Sequence, residues 1–149
     1  MQVDFYQLSH DPVDQVLPAI AQRILDEGAR LLVLDGREGA AERLSRALWG
    51  WRPDSFLAHG TADEDDAAAQ PIVLACDDGA LDVAVNGARH VALTDGRWRE
   101  GALGFDRAFY FFDAGTIEGA RACWRDLKGR SGVEPRFWRQ EGRRWVQGP

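Results

Sequence analysis

Arg121, Trp124, Arg125 and Lys128 stand at i, i+3, i+4 and i+7, which places three cations and an indole on one face of a helix. Guanidinium forks hold carboxylates bidentately, and an aromatic wall between them can hold an apolar side chain. The set is therefore suited to an acidic peptide with a hydrophobic anchor. A plainer role is open to the same residues: basic side chains near a helix C-terminus complement the dipole, and Trp124 can cap the edge of a core. Ala120, Cys123 and Leu127 form a separate apolar stripe, so the helix can pack on a sheet without using the basic face.

A second candidate lies at Ala47–Gly60. Trp49 and Trp51 end an amphipathic run, Pro53 turns the chain out of the helix, and Ser55-Phe56-Leu57 follows before His59. Large aromatics beside such a turn either pin the helix end to its own core or await a partner.

Other chemistries lack their residues. Asp35-Gly36-Arg37-Glu38-Gly39 follows a strand but has neither GxGxxG spacing nor a GK[ST] pair, and its acids would repel a phosphate. His10, His59 and His90 lie in three segments without HxxH or HExxH pairing, and each is expected to be a satisfied hydrogen-bonding residue rather than a metal ligand. No serine stands in a nucleophile elbow, and Asp63–Asp66 lacks the spacing of a calcium loop. No enzyme activity, cofactor or metal is expected.

The elements that must position these residues follow from periodicity. Strands are predicted at Val3–Leu8, Arg30–Leu34, Ile72–Ala75, His90–Leu93 and Arg107–Phe112, with a short one at Leu81–Val85. Helices are predicted after Asp11-Pro12, over Glu38–Trp49 and over Ile117–Lys128, with Asp11 as N-cap and Pro12 at the first helical position. Pro18 implies a later start or a bend in the first helix, and Gly28 its stop. Residues 61–69 read as an exposed acidic loop, and Phe137, Trp138 and Trp145 fall in a tail without assigned structure. The alternation predicts a single α/β domain over 1–149, a three-layer sandwich with a mainly parallel central sheet: a nucleotide-binding type of fold without its P-loop.

The chain carries −6 overall, but the charge is divided. Residues 97–149 hold 10 Arg and 1 Lys against 7 acids, while residues 1–96 hold 7 Arg against 17 acids. A basic third on an acidic body points to an anionic partner at one face and argues against wholesale coating of nucleic acid. The alternative is direct nucleic-acid binding by the basic, Trp-rich C-terminal third. Cys76 and Cys123, far apart, fit reduced thiols. With no basic n-region, no apolar h-region at the N-terminus and no run long enough to span a bilayer, a cytoplasmic location without membrane contact is expected.

Leu48-Trp49, Pro53, Ser55-Phe56-Leu57 and His59 together resemble the signature of the chi subunit of bacterial DNA polymerase III holoenzyme. Phe5-Tyr6-Gln7-Leu8, Gln70–Ala75, Ala120-Arg121 and Trp124-Arg125 extend that resemblance nearly end to end. Ala58 stands where the family usually has proline, and the acidic Asp63–Asp66 is an insertion. The resemblance implies a non-catalytic accessory subunit that links the clamp-loader complex to single-stranded DNA-binding protein. It assigns Arg121, Trp124 and Arg125 to that protein's acidic, Phe-terminated C-terminal tail, with Lys128 added by helical spacing. Trp49 and Phe56 fall where the family meets the psi subunit, or an equivalent clamp-loader component, and where a helicase uses an overlapping surface.

Overall fold

The runs Leu31–Leu34 and Ile72–Ala75 are apolar at every position, so each is stable only as a strand covered on both faces. In the computed structural model, which describes residues 1–142 and 144–148, both lie inside one eight-stranded sheet. Its strands are β1 (Gln2–Gln7), β2 (Leu31–Leu34), β3 (His59–Thr61), β4 (Ile72–Ala75), β5 (His90–Leu93), β6 (Arg107–Phe112), β7 (Glu134–Glu141) and β8 (Arg144–Gln147). They lie in the order β3-β4-β2-β5-β6-β1-β7-β8, and every pairing is parallel except β7 with β8. After β2 the chain adds β3 and β4 on one side and β5 on the other. This makes the β2–β5 boundary a topological switch point of a doubly wound sheet.

The pleat sends alternate residues to opposite faces. Tyr6, Leu31, Val33, Leu74, Phe109 and Phe111 build one core with α1 (Val13–Asp26) and α2 (Ala40–Trp49). Val3, Phe5, Leu32, Val73, Tyr110 and Phe112 build the other with α3 (Ile117–Lys128) and single 3₁₀ turns at Ala67–Ala69, Asp78–Leu81 and Glu100–Gly104. Helices on both sides of one sheet make the three layers that the alternation predicts. Among the described residues no helix is long and apolar enough to cross a membrane.

Several local expectations are corrected. Pro12, not Asp11, is the N-cap of α1, in extended backbone and without a side-chain cap, because the Asp11 carboxylate instead accepts a hydrogen bond from Gln140 Nε2 at 2.8 Å. Helix α1 starts at Val13 and runs through Pro18; the bond that proline forfeits is to the Asp14 carbonyl in the partly exposed first turn, and burial of Val16, Leu17 and Ile20 outweighs it. Gly28, at φ 79°, does end the helix, its N–H donating to the Leu25 carbonyl. Leu81–Val85 is no strand: Leu81 closes a 3₁₀ turn and Val83 is exposed. The stretch read as an open loop gives only its first residue, Thr61, to β3, and its Ala67 is buried. The unassigned tail forms β7 and β8, although Arg143, one of its arginines, lies outside the described residues.

Candidate functional site

Helix α3 lies on the sheet through Ala120, Cys123 and Leu127, all buried, which leaves Arg121, Arg125 and Lys128 exposed. Burial pushes the Cys123 thiol up to about 12, so it behaves as a packing residue. Trp124 does not stand free in water as its place in the basic stripe suggested. Its ring is half-buried, edge-on to Phe5 at 5.2 Å and to Phe137 at 6.0 Å between ring centroids. The reason is β7, which pairs alongside β1 and brings Phe137 under the helix.

Phe5, Phe112, Trp124 and Phe137 line a mostly apolar cavity of about 350 Å³, and the exposed Arg121 and Arg125 belong to the same lining. Arg121 Nη1 donates to Glu118 at 2.9 Å, whereas Arg125 forms no ion pair among the described residues. Lys128 is not part of the lining; its Nζ lies 5.3 Å above the Trp124 ring, a cation–π position. Three of the predicted residues thus meet at the cavity, and the fourth contacts it only through the indole. Phe5, Phe112 and Phe137 were missed as walls. Pleat alternation in β1 and β6 could have placed the first two on the face under α3, but nothing short of the β1–β7 pairing locates the third.

At the end of α2, Leu48 and Leu57 are fully buried and act as anchors, while Trp49 is 49% and Phe56 75% exposed. Their rings pack on each other at 5.2 Å, and Trp49 also covers His59 at 4.4 Å. The His59 Nδ1–H donates to the Leu57 carbonyl at 2.8 Å, so Nε2 is left to accept from the Ser45 hydroxyl at 2.7 Å. A satisfied histidine therefore props an aromatic pair that faces water. The core-pinning alternative holds for the leucines and, in part, for Trp51, which is half-buried with Arg52 stacked on it at 4.3 Å. It fails for Trp49 and Phe56. His90 departs from expectation too: its Nδ1 is buried without a hydrogen-bond partner.

A doubly wound sheet places a nucleotide at the carboxyl ends of its strands. The cleft there is lined by Asp11, Asp35, Asp95 and Asp113 as well as Arg37 and Arg43. The Asp35 carboxylate is occupied by Arg37 Nη2 at 2.7 Å and the Thr94 hydroxyl at 2.8 Å. Burial would raise the Asp95 carboxyl, but the Arg99 guanidinium and the Gly36 and Arg97 N–H groups hold it below the usual range. Fixed carboxylates occupy the place where a phosphate loop would present N–H groups and Lys. Among the described residues no three His, Cys, Asp or Glu side chains group as metal ligands.

Fold and site together define a doubly wound α/β protein whose strand-end cleft has no phosphate loop and whose exposed aromatics lie elsewhere. The DNA polymerase III chi subunit family, HolC, matches residues 1–135, and the chain belongs to that family, accessory subunits of DNA polymerase III. No individual curated protein matches the chain.

Proposed function

We propose that the chain is a non-catalytic adaptor of the replicative polymerase. In it the cavity under α3 holds the acidic, Phe-terminated tail of single-stranded DNA-binding protein, and the Trp49–Phe56 pair docks the psi subunit or an equivalent clamp-loader component. A helicase competes for the second surface. The observation that carries the reading is the α3 cavity: a mostly apolar recess walled by aromatics, whose lining also includes the exposed Arg121 and Arg125. A terminal phenyl ring fills the recess while Arg121 and Arg125 hold the free carboxylate and the acids preceding it. The second support is geometric. Helix α2 and helix α3 cover opposite faces of the sheet, so both partners can be held at once and each raises the local concentration of the other.

The test is a fluorescence titration with an acidic peptide ending in Phe, its C-terminally amidated form, and ATP with magnesium. Saturable binding of the free acid, weaker binding of the amide and none of ATP is the expected result. Equal binding of the two peptides would exclude the guanidinium clamp, and a rise in melting temperature with ATP would replace the adaptor with a nucleotide-binding protein.

A further inference from the structure

A third site lies on the α1 side of the sheet, away from both surfaces above. Strand β7 pairs with β1, and β8 folds back on β7, leaving a groove of about 660 Å³ between this hairpin and α1. Tyr6, Trp138 and Trp145 form its aromatic wall. Trp138 lies parallel to Tyr6, with 14° between the planes, and Trp145 stands edge-on to it at 5.0 Å. Arg23, Arg107 and Arg136 line the same groove; Asp11, the one carboxylate in its lining, is already engaged by Gln140, and Arg136 Nη2 donates to the exposed Glu134 at 3.2 Å, a surface pair that a phosphate can displace.

The wall is held in place from below. Asp4, fully buried, accepts from the Trp138 indole N–H at 3.1 Å and from Arg107 Nε at 2.6 Å. One buried carboxylate thereby fixes both a stacking surface and a guanidinium that lies over the Phe109 ring at 4.6 Å and whose terminal nitrogens donate no hydrogen bond among the described residues. Arg23, exposed on α1, forms no ion pair among the described residues. Arg136, Trp138 and Trp145 all lie beyond the residues that match the family, so family membership does not account for this groove.

We infer that the groove binds single-stranded nucleic acid, a base stacking on the exposed indole surface and the flanking phosphates meeting the three guanidiniums. Flat aromatic walls with cations on an open groove suit unpaired bases, whose π-faces are available and whose backbone charge runs continuously past the site. An acidic peptide shares the charge but not the succession of flat faces. With three guanidiniums the affinity is modest and falls steeply with salt.

The experiment is fluorescence anisotropy of labelled oligothymidylate and oligouridylate with the full chain at about 50 mM salt; non-specific sites of this kind bind at roughly 1–100 µM at physiological salt and more tightly below it. Saturable binding of either oligomer is expected, the two arms telling DNA from RNA. Trp145→Ala should weaken it roughly ten-fold, as loss of a stacking platform does. Arg23→Glu, at an exposed helix position that does not threaten folding, should weaken it at least as much and flatten the salt slope by about 0.7 for each phosphate no longer neutralised. Arg46→Glu, with the same change of net charge on α2, should leave it unaltered. The inference is overturned if neither oligomer binds up to about 100 µM protein at that salt. It is equally overturned if folded Arg23→Glu binds as wild type, or if an acidic Phe-terminated peptide displaces the oligomer, which would place it in the α3 cavity. The last two outcomes leave the adaptor proposal standing.

Discussion

Arg121 and Arg125 differ in what they already hold. Arg121 is tied to Glu118, while Arg125 has no such partner among the described residues, so an incoming carboxylate meets less competition at Arg125. Arg125→Glu should therefore weaken the acidic peptide by a charge-assisted hydrogen bond of about 1.5–3 kcal/mol plus the new repulsion, and Arg121→Glu should weaken it less. Isothermal titration of both variants checks the order, and a larger loss at Arg121 would contradict it. Trp124→Ala should cost stability as well as affinity, because its ring also packs on Phe5 and Phe137. At the other surface the exposures separate function from folding. Trp49→Ala and Phe56→Ala should change stability by less than about 1 kcal/mol, whereas Leu57→Ala, next in the chain to Phe56 but fully buried, should cost about 2–5 kcal/mol. Denaturant melts of the three variants decide it. A loss at Phe56 as large as at Leu57 would mean that the aromatic pair belongs to the core.

What could be read from the sequence at the level of elements followed burial. Helix α3 and strand β6 occupy the predicted residues because a clean apolar stripe and an uninterrupted aromatic run each fit one structure only. Strand β7 escaped notice because Glu134–Glu141 is polar or half-exposed along its length and contains Pro135. Its place is secured by backbone pairing to β1 and by Trp138, which donates to Asp4 134 residues away, where Arg107 of β6, 103 residues from the same carboxylate, also converges. No local pattern encodes such a junction, and the Phe137 wall of the α3 cavity depends on it. Arg107→Ala should leave the Asp4 carboxylate buried and undercompensated, destabilising the fold by on the order of 2–4 kcal/mol, since Arg107 is itself partly exposed. Chemical denaturation measures this, and an unchanged midpoint would deny the junction its role. Strand β5 carries the pH signal. Burial, and then the nearby Arg107, hold the His90 imidazole below its usual pKa. A depressed value favours the neutral ring in the folded state. Its stabilising contribution is thus complete above the unfolded pKa of about 6.5 and is lost as pH falls through the lower folded value. Thermal melts from about pH 7 to about pH 5 should show a falling Tm, and His90→Phe should flatten that slope. An identical slope in His90→Phe would assign the loss to other groups.

The molecule as a whole separates its exposed aromatic pair from the cavity under α3. The Trp49–Phe56 pair adjoins β3 at one edge of the sheet and α3 lies over β1 and β7, five strands away, or about 24 Å at ~4.8 Å per strand and on the opposite face. The strands between them are buried on both faces and paired in one continuous parallel ladder, so they offer a rigid spacer rather than a hinge. Sites this far apart, with no shared side chain, should act additively. Trp49→Ala should therefore leave the affinity for the acidic peptide within about 0.3–0.5 kcal/mol of wild type, and Arg125→Glu should leave the clamp-loader-side partner equally untouched. Bridging is a different matter, since it needs both surfaces in one molecule. A bead carrying the peptide should capture the psi subunit only through wild-type chain, with either variant breaking the bridge while keeping its own intact half. Mixing the two variants should not restore capture, because neither holds both partners. Restored capture would require two copies of the chain to associate, and a Trp49→Ala chain that had lost the peptide as well would collapse the two surfaces into one.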